Sequence, residues 1–98
     1  MTAVILSPAA LFEVNESRHW YELRDPGLGT EFVRALDECI SRIQRQPDLF
    51  RQIKPPYRKA LLRRFPFQVI FEAREDCIWI LAVFHAKRDS KELKRRLR

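Results

Sequence analysis

Residues 57–89 read YRKALLRRFPFQVIFEAREDCIWILAVFHAKRD, and this stretch decides the fold. Tyr57–Arg64 alternates as a strand, with Arg58, Ala60, Leu62 and Arg64 on one face and Tyr57, Lys59, Leu61 and Arg63 on the other. Phe65-Pro66 marks a corner, because proline has no N–H to give to a ladder. Phe67–Ala73 is a second strand and Arg74-Glu75-Asp76 a tight turn. Cys77–Phe84 is a third strand, so nearly all apolar that it belongs at the centre of a sheet. Strands separated by such short connections pair as an antiparallel meander.

Upstream, Thr2–Leu6 reads as a short strand able to join an edge of that sheet. Ser7 is an N-cap and Pro8 occupies the first helical position, where its missing N–H costs nothing. The helix so begun runs to about Leu23. Its apolar side is read as Ala9, Phe12, Trp20 and Leu23, interrupted by Glu16, and Asp25-Pro26-Gly27 ends it. A second helix starts at Leu28-Gly29-Thr30, carries the stripe Phe32, Leu36, Cys39, Ile40 and Ile43, and stops at Pro47. Residues 48–56 read as a polar connection kept irregular by Pro55-Pro56 and anchored by Phe50 and Ile53. Residues 89–98 read as a short basic helix capped by Asp89. The expected architecture is α+β: a small, antiparallel-rich β-sheet, an N-terminal helical hairpin packed on one face, and a short C-terminal basic helix. The sheet's other face is expected to be open.

The chain has 98 residues, the length of one domain. Only 2 glycines are present, which excludes a glycine-rich phosphate loop, and no cofactor is expected. Cys39 and Cys77 lie in apolar patterns without metal-ligand spacing and read as buried free thiols; no metal is expected. No apolar run reaches membrane-spanning length, and the first residues lack the basic start of a secretory signal, so a cytoplasmic protein without membrane contact is expected. The net charge is +6 and unevenly spread. Residues 1–50 carry 5 basic and 8 acidic side chains, a net of −3; residues 51–98 carry 14 and 5, a net of +9. A sheet and tail of that sign call for a polyanion or an acidic partner, against the plainer reading of a solvated basic face.

Several segments together resemble the RelE/ParE toxin superfamily of bacterial type II toxin–antitoxin systems, the plasmid stabilisation proteins. They are Ser7-Pro8-Ala9, His19-Trp20-Tyr21, Pro26-Gly27-Leu28-Gly29 with Phe32, Pro47-Asp48-Leu49-Phe50, Leu62-Arg63-Arg64-Phe65-Pro66-Phe67, and Ala82-Val83-Phe84-His85-Ala86-Lys87-Arg88-Asp89. They span almost the whole chain in order. The Phe65-Pro66-Phe67 corner and the ending from Phe84 to Asp89 look closer to the ParE-like members. The resemblance implies a toxin that arrests growth when free and is neutralised by a cognate antitoxin encoded by an adjacent gene, in a hetero-oligomer. ParE-like members inhibit DNA gyrase; RelE-like members cut mRNA in the ribosome. A third alternative is a degenerate member that only binds its antitoxin.

The two activities ask for different residues. A metal-independent endoribonuclease needs a proton shuttle and cations on the phosphate. His85 is the candidate shuttle, with Arg63 and Arg88 as its catalytic partners. The plainer reading of His85 is a strand-end residue bonded to a backbone group. Some RelE-like nucleases use a tyrosine near the C-terminus, and this chain has none after Tyr57. A docking surface for antitoxin, target or phosphate would use Arg58, Lys59, Arg63, Arg64, Lys87 and Arg88. Arg63 and Arg64 are expected on opposite faces of their strand, one of them paired with a carboxylate such as Glu72. Trp20 and Trp79 read as core residues and His19 as packing or capping.

Overall fold

The computed structural model describes residues 2–87 and 90–97. The chain folds as β1 (Ala3–Leu6), α1 (Pro8–Arg24), α2 (Leu28–Arg45), a 3-10 turn (Pro47–Leu49), β2 (Arg51–Lys54), β3 (Tyr57–Leu61), β4 (Phe67–Ala73), β5 (Cys77–His85) and α3 (Ser90–Arg96). The sheet has five strands in the order β1-β5-β4-β3-β2. All its pairings are antiparallel except that of β1 with β5. The α+β architecture thus stands as expected, with the apolar strand β5 inside the sheet.

Ser7 explains the sharp passage from β1 into α1. Its Oγ accepts from the Ala10 amide at 3.0 Å and donates to the Leu81 carbonyl at 2.8 Å, while its own amide bonds the Ile80 carbonyl. One side chain therefore caps the helix and ties its start to β5. The helical hairpin closes through Glu22. Its carboxylate accepts from the amides of Gly27 and Gly29 at 2.9 and 3.0 Å, meeting the unpaired donors and the positive end of the α2 dipole. Gly27 stands at φ +92°, a conformation that favours glycine.

The hairpin packs on one face of the sheet. Phe32, Leu36, Cys39 and Ile43 of α2 are buried there against Val69, Phe71, Ile80 and Val83. Four rings form the junction: Phe32 lies 4.9 Å from Phe67 and 5.6 Å from Phe65, and Tyr21 lies 5.4 Å from Phe32. On the opposite face, Ile70, Ala82 and Phe84 are covered by Leu93 and Leu97. The expectation of an open second face is therefore corrected: Leu93 of the tail helix and Leu97 just beyond it cover part of that face.

Four further expectations change. Residues 51–54 form an edge strand, β2, because the two prolines sit in the turn joining it to β3 rather than within a strand. β3 ends at Leu61, not Arg64, since Arg64 adopts φ 71° and turns the chain out of the sheet. The apolar stripe read on α1 is its outward face. Ala10 and Val14 are buried, whereas Phe12, Trp20 and Leu23 are 64%, 51% and 74% exposed, and His19 is exposed as well. The small Ala10 lets the helix backbone lie close to the sheet. Finally, Trp79 is only partly buried, with the Arg74 guanidinium 4.7 Å above its ring. The expected Asp89 cap of α3 lies outside the described residues.

Two predictions follow from this packing. A Cβ on Gly29 would stand 2.6 Å from the Arg18 carbonyl oxygen, a backbone atom that cannot swing aside. Gly29→Ala, although favourable for helix propensity by about 1 kcal/mol, should lower stability by roughly 1–2 kcal/mol overall, seen as a lower urea midpoint at unchanged slope. Cys39 and Cys77 are both buried free thiols, and burial pushes the Cys39 thiol up to about 11. Neither should react with a colorimetric disulfide reagent at neutral pH until denaturant is added, when both react.

Candidate functional site

The residues expected to act together are spread over three parts of the molecule. Arg58 projects from β3 toward the 3-10 turn. Its guanidinium donates to the Phe50 carbonyl at 2.8 Å and the Asp48 carbonyl at 3.4 Å, with the Asp48 carboxylate at 3.9 Å. It bonds carbonyls in and just after the 3-10 turn, a role that the alternation of the strand cannot reveal. Lys59, next in sequence, stands on the other face of the sheet, opposite Arg51 of β2 and Ile70 of β4.

Arg63 and Arg64 share one side, contrary to the expectation of opposite faces. The physical reason is the end of β3 at Leu61: strand alternation no longer governs where they point. Arg63 lies 3.5 Å from Glu38 and Arg64 3.0 Å from Glu31, so both carboxylate partners belong to α2. Glu72 pairs instead with Arg74 at 3.0 Å. The Arg63 and Arg64 pairs are solvent-exposed, worth about 0–1 kcal/mol each, and a partner can displace them at small cost.

His85 is the last residue of β5 and lies in register with Phe67, its ring 5.5 Å from the phenyl ring. Its Nδ1 accepts from the Lys87 amide at 3.1 Å. In the neutral ring that contact leaves the proton on Nε2, so the backbone selects the tautomer. This is the backbone-bonded strand end that the sequence offered as its plainer reading. Lys87 is exposed one turn beyond, and Arg88 lies outside the described residues.

His85 opens into a groove of about 460 Å³ between α1 and the ends of β4 and β5. Phe12, Glu16, Trp20, Tyr21 and Phe67 line it with the histidine. Its polar wall is acidic. Glu13 accepts from the Val83 amide at 3.0 Å and from Arg96 at 2.8 Å, and Arg96 also donates to the Leu81 carbonyl at 2.6 Å. The acid at Glu13 and the tail arginine were not among the residues singled out from sequence. Their positions 83 apart gave no local signal, whereas the outward aromatics of α1 were visible at helical spacing and assigned to the wrong side. Among the described residues no three His, Cys, Asp or Glu side chains converge as a metal site requires.

The comparisons with known proteins match the architecture. A family model described as the ParE toxin of type II toxin–antitoxin system, parDE, matches residues 4–90. A solved structure, "Chromosomal ParDE TA system from P. aeruginosa", is similar in fold with a TM-score of 0.76 at 19% identity, covering 89% of this chain and 98% of that one. No curated protein matches significantly. With the family model spanning nearly all of both layers, the chain belongs to the ParE toxin family of type II toxin–antitoxin systems.

Proposed function

We propose that this protein arrests growth when free by binding DNA gyrase in the cytoplasm, without cutting nucleic acid, and that a cognate antitoxin neutralises it in a hetero-oligomer. The observation that carries the reading is the setting of His85. A nuclease needs cations around its proton shuttle to hold the scissile phosphate. The groove beside His85 is instead lined by rings and by the carboxylates of Glu13 and Glu16. Arg58 serves the 3-10 turn, and Arg63 and Arg64 stand with α2. In the groove, a phosphodiester placed against His85 would face the carboxylate of Glu16 and a Glu13 already paired with Arg96. No helix among the described residues is long and apolar enough to cross a membrane.

On this reading the basic surface works by docking. Lys59 and Lys87 present ammonium groups on the sheet and beyond β5, and Arg63 and Arg64 add displaceable guanidinium groups. Together they suit an acidic patch on the target enzyme.

The reading is tested in two reactions with the purified protein. Gyrase supercoiling should be inhibited, and the double charge reversal Lys59→Glu/Lys87→Glu should weaken inhibition by about tenfold or more. In a translation reaction read by primer extension, the mRNA should stay intact, and His85→Ala should retain growth arrest. Codon-specific cuts that disappear in His85→Ala would establish the ribosome-dependent endonuclease instead. A folded protein that arrests no cells and leaves gyrase untouched would leave only antitoxin binding.

A further inference from the structure

We infer that the outer edge of β1 pairs with β1 of a second copy of this chain, antiparallel about a two-fold axis, joining two sheets into one. The inference goes beyond the toxin reading and stands without it. The two edges of the sheet, β1 and β2, are built differently. β2 carries Arg51 and Lys54, and its register with β3 shifts between Gln52 and Lys54. Charge and irregularity of that kind keep an edge from adding a further strand. β1 consists of Ala3, Val4, Ile5 and Leu6, without charge or proline, and its register with β5 is unbroken. Ile5 is 47% exposed on it. An apolar edge with no such guard is a template for pairing.

The backbone specifies the occupant and the register. Along a strand, successive residues turn their N–H and C=O groups to opposite sides. The Ser7 amide bonds the Ile80 carbonyl, so Ser7, Ile5 and Ala3 turn toward β5, while Leu6, Val4 and Thr2 turn outward. With the two-fold axis at Ile5, Val4 and Leu6 of one copy face Leu6 and Val4 of the other. Each facing pair then exchanges both backbone hydrogen bonds. In the same register Thr2 faces Pro8, which has no N–H to give. Gln44 of α2 supplies a donor there instead, its Nε2 bonding the Thr2 carbonyl at 2.7 Å. The ladder is therefore confined to the apolar residues and leaves no orphaned group at Thr2. At the axis Ile5 meets Ile5 of the second copy. Trp79, in register with Ile5 on β5 and only partly buried, flanks the seam on that face. The contact is small, below the ~1,200 Å² of a standard interface, so the dimer is weak and depends on concentration.

The test uses the full chain. Equilibrium sedimentation from about 1 to about 500 μM should show a monomer–dimer equilibrium. Ile5→Lys, with circular dichroism unchanged, should raise the dissociation constant about tenfold or more. Salt at about 1 M should leave the dimer as tight or tighter, because the pairing groups are uncharged and screening relieves the repulsion of two basic chains. Cross-linking reads the register. Facing residues at the axis have Cα atoms about 4.5 Å apart, within disulfide range. Ile5→Cys should therefore give a disulfide-linked dimer on mild oxidation, the two native cysteines being buried. Ala3→Cys should not, since Ala3 faces Ser7 in this register and lies roughly 14 Å from Ala3 of the second copy. A monomer at every concentration, a dimer indifferent to Ile5→Lys, dissolution by salt, or equal cross-linking at positions 3 and 5 would each overturn the inference. None of these readouts involves gyrase or growth arrest, so this inference and the toxin reading can each fail alone.

Discussion

The contact of Phe32 with Phe65 and Phe67 is the constraint on which the rest of this structure depends. Phe32 is fully buried on α2, Phe65 lies in the corner after β3, and Phe67 opens β4. Each well-oriented ring pair adds about 0.5–1.5 kcal/mol beyond its buried area, and Tyr21 brings α1 into the same cluster. The corner fits because Arg64 takes a left-handed conformation and the Leu62 amide bonds the Phe67 carbonyl at 3.0 Å. Turning Phe65 inward turns Arg63 and Arg64 outward onto the acidic side of α2. The same packing makes Phe67 a wall of the groove beside His85.

The molecule also solves a problem of edges. β1 is short and leaves the far half of β5 without a neighbouring strand on that side, β4 pairing with its other side. Glu13 and Arg96 occupy part of that edge, bonding the Val83 amide and the Leu81 carbonyl. Their side chains are only 18% and 13% exposed, the most sheltered ion pair among the described residues. Being hydrogen-bonded to backbone as well as to each other, they satisfy groups that a missing strand would otherwise have paired. Through this contact the tail helix is joined to α1 around the side of the sheet.

The distribution of charge separates two surfaces of different character. Cations lie on the sheet, the β3–β4 corner and the tail; carboxylates and exposed rings lie along α1.

The sequence by itself determined the elements whose signals are local. Ser7-Pro8 starting α1, Pro26-Gly27 ending the first helical segment, the stripe from Phe32 to Ile43 and the nearly continuous apolar run of β5 each follow from a few neighbouring side chains. So did the family, whose motifs lie in order along the chain. Only the tertiary structure decided which side of α1 is core, because that helix carries apolar residues on two faces and periodicity ranks neither. It also decided that Arg63 and Arg64 share a side, that Arg58 bonds carbonyls of the 3-10 turn, and that Glu13 meets Arg96. These outcomes depend on where a strand stops and which distant backbone lies alongside, and such contacts form only once the sheet and hairpin are packed.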